Sequence, residues 1–469
     1  MLRKILRRSL KVCLGFAVLW FLVHLVENWR GKHAWESWKA EQVAKGAHYQ
    51  VEDLVPPPLP DADNFAKAAV VESGIKGKGD FLGGFKFSGP GSFPPGWRTG
   101  QAMDLKAWAD ANKTDDLEAS LAPAAGVLDH LAEAAKRSGC RFDVPRNDEN
   151  YPGIKILGFR HVGRLLTIRS LLHLRSGQTN AAMQDVITQL RIIRHLSSEP
   201  DLTVELTQLA MCGFVMQAVW EGLETHAWNE PQLVALQDEL SRMDELTPFL
   251  VMGQSQRISA ANFYGMVTSE KWWSRDSSKS GRSGGLLAHC LIPRGWMYQN
   301  WRKADEHFAA TWLMAVDTSK HRIYPDRVRE IESWWVDKRV TPYTVFAKLL
   351  SVAGPGMTSQ AHRFAERQVT LDEAFLVCGL ERYRLAHKNY PDNLQALVPR
   401  DAASLPNDVL TGLPLRYKRT DKGGFLLYSV GWNGNDENGS MGMEGKERDL
   451  TKGDWPWPHL DAIQPGAGK

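Results

Sequence analysis

The sequence predicts a mainly α protein: an N-terminal membrane anchor, a central helical-hairpin domain and a small C-terminal α+β module built on an antiparallel hairpin. Three observations carry this. An uncharged apolar run, VCLGFAVLWFLVHLV, fills Val12–Val26 directly behind a basic N-terminus. Apolar residues recur at helical spacing through much of 116–352. Strand-like alternation comes late, in Leu415 and Tyr417 and then Phe425, Leu427 and Ser429, on either side of the turn TDKGG.

Residues 1–29 read as a cytoplasmic basic stub and a transmembrane signal anchor. Arg3, Lys4, Arg7, Arg8 and Lys11 have no acid among them, and setting them aside takes the chain from +3 to −2. The body is thus near neutral, which argues against nucleic acid as a partner. The apolar run is short for a span of roughly 17–25 residues, but Ser9, Leu10 and Trp29 extend it if Lys11 snorkels. A cleaved secretory signal is the rival reading. It needs small residues at an A-x-A-like site, and VHLVENWRGK offers none. By the positive-inside rule the stub stays in the cytoplasm and the body is exported. The expected setting is a membrane crossed once by this segment.

Residues 30–60 predict a juxtamembrane helix followed by a stiff stalk, since VPPPLP places four prolines between Pro56 and Pro60. Residues 61–115 are mixed, with an irregular GGFKFSGPGSFPPGW. The helical domain spans 116–365. Leu165, Ile168 and Leu172 share one helix face, and Val186, Leu190 and Ile193 share the next, with a turn at Gly177 between them. Asn229 followed by Pro231 marks a helix start. Consecutive antiparallel hairpins result, without a strict 34-residue period, so a solenoid and an ordinary bundle both stay open. A Ser/Gly/Lys loop fills 271–290. Further helices are expected at Trp301–Ala315, Asp326–Val340 and Pro342–Val352. Gly354-Pro355-Gly356 then precedes a last long helix to about His387, with Thr370 and Glu373 in capping-box spacing.

No reaction declares itself. The fourteen histidines include no HExxH and no zinc spacing. Gly281-Arg282-Ser283-Gly284-Gly285 matches GxSxG, but the polar WWSRDSSKS before it is unlike the strand that a nucleophile elbow requires. Cys140, Cys212, Cys290 and Cys378 are widely spaced, often among apolar residues, and read as buried free thiols in preference to disulfides. Trp272, Trp273, Trp296, Trp301, Trp312, Trp334 and Trp335 crowd one stretch. Such residues serve either core packing or a platform for glycan or lipid.

The C-terminal module, 366–469, carries ordered motifs: LERYRLAHKNYP, LQALV, DVLTGLPLRY, YSVGWNG and DLTKGDW. In this order they resemble the C-terminal half of the major pseudopilin of type II secretion systems, over about a fifth of the chain. The whole chain also looks like uncharacterised membrane-anchored proteins of planctomycete and verrucomicrobial bacteria, which implies a location and no reaction. The pseudopilin resemblance implies a Ca²⁺ in the glycine-rich loop after YSVG. Asp449 falls at the position of one calcium aspartate and Asn433 at the other, with Asp436, Glu437 or Asp454 able to restore the missing charge. Calcium takes six to eight oxygens, and a Gly/Asn loop lets carbonyls turn inward. The anchor lies far upstream and lacks the pseudopilin processing motif, so a filament subunit is not expected. The functional expectation is binding or scaffolding at the cell envelope, with envelope proteins as partners. A hydrolase of envelope polymers, using Ser283 or carboxylates, is the alternative.

Overall fold

In the computed structural model, residues 2–76, 81, 106, 110–112, 114–144, 154–268, 292–337, 339–350, 354–445 and 447–458 are described. The helices are α1 (Leu2–Ala44), α2 (Ala69–Lys76), α3 (Thr114–Ala134), α4 (Gly158–Arg175), α5 (Thr179–Leu196), α6 (Leu202–Glu224), α7 (Glu230–Leu240), α8 (Leu246–Thr268), α9 (Arg294–Ala315), α10 (Pro325–Val336), α11 (Val345–Leu350) and α12 (Gly354–His387). The strands are β1 (Val316–Asp317) and β2 (Arg322–Ile323), before α10, then β3 (Arg416–Arg419), β4 (Phe425–Ser429), β5 (Met441–Glu444), β6 (Glu447–Gly453) and β7 (Trp455–Pro456). The protein is mainly helical, with small antiparallel sheets, as the sequence predicts. The chain divides into two compact units, which cut across the expected boundaries at 115/116 and 365/366.

The first unit comprises Met1–Asp53, Gly253–Ala315 and Asp326–Thr358. Its axis is α1, which is long and apolar enough in its first half to cross a membrane. Residues 7–22 of that half are exposed throughout. The second half packs on α9. Trp35 stacks on Trp301 with ring centroids 3.5 Å apart, and Tyr49, Ala261 and Tyr264 close the cluster. At Gly31 and Gly295 the two backbones touch. A Cβ on either glycine would overlap backbone atoms of the other helix, so only Gly permits this approach. The same core holds a charge pair. Arg257 donates from Nε and Nη2 to the two Asp305 oxygens, each at 2.6 Å. Asp305 Oδ2 also accepts from Trp38 Nε1 and Tyr49 Oη, both at 2.7 Å. Buried Asn300 anchors α11: its Oδ1 accepts from Phe346 N and Ala347 N. Of the tryptophans described in this stretch, Trp301 and Trp312 are buried and serve packing, and Trp334 stacks on His307.

The second unit comprises Leu54–Met252, Val316–Pro325 and Ser359–Lys469. Its α4–α7 run as the predicted antiparallel hairpins, with Leu165, Ile168, Leu172, Val186, Leu190 and Ile193 all buried. Gln189 ties three helices together. It accepts from Thr167 on α4 and donates to the Met211 carbonyl on α6. Asn229 forms a full capping box with Gln232 at the start of α7, where Pro231 was expected to mark a beginning. The predicted hairpin β3–β4 forms in register Tyr417↔Leu427, and β7 adds to the other edge of β4. The C-terminal segment does not close on itself. Arg382 of α12 reaches Glu230 and Gln237 on α7, and Ile323 N of β2 donates to the Val409 carbonyl.

Three local expectations need correction. Residues 30–60 do not stand apart as helix and stalk, because α1 runs unbroken to Ala44 with Trp35 in the core. The proline segment is tied down as well: the Pro56 carbonyl accepts from Arg141, and Leu59 lies under Gly139. Thr370 and Glu373 are no cap, since they lie deep inside α12 and are buried, with Thr370 Oγ1 donating to the Glu366 carbonyl. The helix expected at Asp326–Val340 ends at Val336 in α10, and the one expected from Pro342 begins only at Val345 in α11. Of the cysteines, Cys140, Cys212 and Cys378 are buried free thiols, as expected.

The Arg257–Asp305 pair is desolvated on both sides, with side chains 3% and 2% exposed. Removing one partner leaves the other charge buried and alone, which costs about 3–5 kcal/mol. Asp305→Ala in the full chain in detergent is expected to lower the urea midpoint accordingly. Trp38→Phe, which deletes one neutral donor, is expected to cost only about 1 kcal/mol.

Candidate metal loop

The loop opens where β4 ends. Val430 and Trp432 are buried behind Ser429, so the chain enters the loop from the core, and it returns through β5 and β6 to Asp454 and Trp455. Gly431, Gly434, Gly439 and Gly445 all have positive φ, which lets the backbone turn four times within fifteen residues. Met441 pairs with Gly453 and Met443 with Arg448, across a bulge.

Four side chains were expected at a calcium ion, and the structure treats them differently. Asp454 is fully buried. Its Oδ2 accepts from Glu437 N at 3.0 Å and Gly439 N at 2.6 Å, which pins the loop to β7. Its Oδ1 is buried and has no hydrogen-bond partner. Burial, and Glu437 beside it, raise this carboxyl above its ordinary value. Glu437 Oε1 accepts from Asn433 Nδ2 at 2.9 Å, while Glu437 Oε2 is likewise buried and unpartnered. Two unsatisfied carboxylate oxygens on adjacent acids are a costly arrangement unless a proton or a cation lies between them.

Of the remaining expected ligands, Asn433 stays beside Glu437, while Asp436 and Asp449 are engaged elsewhere. Asn433 Oδ1 accepts from Asn435 N at 2.9 Å, shaping the turn. Asp436 is exposed, accepts from Tyr428 Oη at 2.8 Å and pairs with Arg416 at 3.3 Å. Asp449 lies on β6, where four residues of extended strand, roughly 13 Å, separate it from Gly453. Its carboxylate accepts from Thr451 and pairs with Lys452 at 2.7 Å, and these bonds hold its pKa down to about 2. Among the described residues no three His, Cys, Asp or Glu side chains are grouped to hold a metal. The acids on hand for a cation are therefore Asp454 and Glu437, with Asn433 and loop carbonyls as neutral donors. Ser283 and its GxSxG stretch, Cys290, Trp272 and Trp273 lie outside the described residues.

The same unit buries further acids that the sequence reading did not single out. Glu205 and Glu245 are both fully buried, and neither Glu205 oxygen has a hydrogen-bond partner. Burial first, then Glu245, Asp201 and Glu199, push the Glu205 carboxyl well above its ordinary value. Burial raises Glu245 to about 7, against the opposing pull of Gln208 and Arg367. Nearer the loop, Glu366 pairs with Arg448 at 3.1 Å and Asp408 accepts from Ser429 at 2.8 Å. A signal for the first pair was present in VELTQLAMCGF, where Glu205 and Gln208 interrupt an apolar helix on one face.

Protonated acids at these sites make stability depend on pH. Glu245 contributes fully below its ordinary carboxyl value near 4.5, and that contribution is lost as pH rises through about 7. The full chain should lose roughly 3 kcal/mol from this group between pH 5 and 8. Glu245→Gln keeps a neutral side chain there and is expected to flatten the slope in urea titrations. No protein-family model matches the chain, and neither a curated protein nor a solved structure matches it.

Proposed function

We propose that this chain is a membrane-anchored binding or scaffolding protein of the bacterial cell envelope, held in the inner membrane by a single span with its body in the periplasm. The observation that carries this reading is α1. Its exposed apolar half and its packed half are one helix, so the segment suited to lipid is continuous with the core of the first unit. Five uncompensated basic residues before the span favour a cytoplasmic N-terminus. The helical hairpins of the second unit supply surface for envelope proteins, and the pseudopilin-like motif order favours a link to secretion or pilus-like systems.

Within this reading the glycine loop holds a structural Ca²⁺. Glu437 and Asp454 would supply charge and Asn433 and loop carbonyls the neutral oxygens, and the ion would meet one buried carboxylate oxygen from each acid. Support comes from the unpartnered oxygens, Asp454 Oδ1 and Glu437 Oε2.

Two measurements test this. Thermal unfolding of the full chain in detergent should shift upward in Ca²⁺ relative to chelator. Stabilisation of about 2.7 kcal/mol is expected at a hundredfold excess over Kd. Asp454→Asn should abolish the shift and Asp449→Asn should leave it. No shift in the unaltered protein would remove the metal. Protease added to spheroplasts should digest the body and spare the N-terminus; a protected body would overturn the topology.

A further inference from the structure

We propose that the first unit itself rests on the bilayer, with the N-terminal end of α9 and the 342–344 turn seated among phospholipid headgroups. The proposal rests on α1 being a membrane span. It starts from the direction of α9. Asn28 Oδ1 accepts from Gly295 N at 2.8 Å, Trp35 stacks on Trp301, and Trp38 donates to Asp305. Contact positions thus rise together along both helices, so α9 runs parallel to α1 and its N-terminal end faces the membrane.

Depth follows from helix geometry. A 20-residue span ending at Trp29 fills the roughly 30 Å hydrocarbon layer, and the headgroup layer adds about 5–8 Å beyond it. Gly31 lies only two residues, roughly 3 Å, past that edge. Glu27 lies about 3 Å inside it, so whatever touches α1 at Glu27–Gly31 is at the boundary between hydrocarbon and headgroups. The Gly31–Gly295 backbone contact puts Arg294 and Trp296 there. Tyr343 is there too, because its hydroxyl meets Arg30 and Glu27 and its ring lies under the Arg30 guanidinium at 5.1 Å.

The chemistry of this face suits phosphate at an apolar boundary. Trp29 is 70% exposed, Trp296 and Tyr343 are half-buried, and all three combine an apolar body with a polar tip, the pattern of an interfacial aromatic belt. Arg30, 47% exposed beside its partner Glu27, and Arg294 place guanidinium groups on this face, and the partial positive charge of the α9 terminus points the same way. The Gly31–Gly295 contact leaves little freedom at this joint, so the span would set the orientation of the first unit on the membrane.

Spin labels on the full chain in phospholipid vesicles test this, with Cys13 and Cys290 changed to Ser. Labels at Leu19→Cys and Glu41→Cys form a ruler along α1, the first in the hydrocarbon and the second about 18 Å beyond Trp29. Labels at Arg294→Cys and, separately, Tyr343→Cys read the face. Both are expected to show at least threefold less collision with a water-soluble nickel relaxant than Glu41→Cys, and less oxygen collision than Leu19→Cys. A lipid-buried position 19 with 294 and 343 as nickel-accessible as 41 would overturn the proposal and keep the span. An aqueous position 19 would overturn the span and the proposal together. If one face variant fails to fold, the other carries the test.

Discussion

The first unit depends on a charge pair withdrawn almost wholly from solvent. Arg257 and Asp305 can be buried because the carboxylate is fully met: the fork is bidentate, and Tyr49 and Trp38 donate to the same acid. Tyr49 lies beyond the end of α1, Trp38 within it, Arg257 on α8 and Asp305 on α9. One carboxylate therefore fixes the relative placement of three helices and the turn after the first. Packing of Trp35 on Trp301 then adds apolar burial, and the Gly31–Gly295 contact sets the distance at the lower end. Because the first half of α1 is long and apolar enough to cross a membrane, this polar knot ties that exposed apolar segment to the core of the first unit through one unbroken helix.

The second unit uses acids in the opposite way. Glu205 and Glu245 sit among one another and Asp201 with too few donors to hold negative charge, so burial favours the protonated form. Toward the C-terminal strands, acids meet cations and hydroxyls instead, as in Glu366–Arg448 and Asp408–Ser429. Glu437 and Asp454 fall between these cases. Backbone donors satisfy one Asp454 oxygen, and the remaining oxygens of the two acids are left for a proton or a cation. That distinction, made by donor supply and not by composition, singles out this end of the loop.

Sequence by itself determined the elements whose signals are local. Helical periodicity marked α4 and α5 and their buried faces, Asn229 and Pro231 marked the start of α7, and strict alternation marked the β3–β4 hairpin. The apolar run marked the first half of α1 as a helix long and apolar enough to cross a membrane, because length and hydropathy can be read along a line. Tertiary structure alone decided what depends on residues distant in the chain. Thr370 and Glu373 have capping-box spacing, yet α12 passes straight through them because their side chains are buried inside the second unit. The prolines at 56–60 look like a free stalk, yet Arg141 and Gly139 hold them. Asp449, chosen by its place in a motif, is neutralised by Lys452, while Asp454 is drawn into the core by the amides of Glu437 and Gly439. Acids in a loop look alike in sequence. Which of them keeps an unpaired oxygen depends on the donors that folding brings to it.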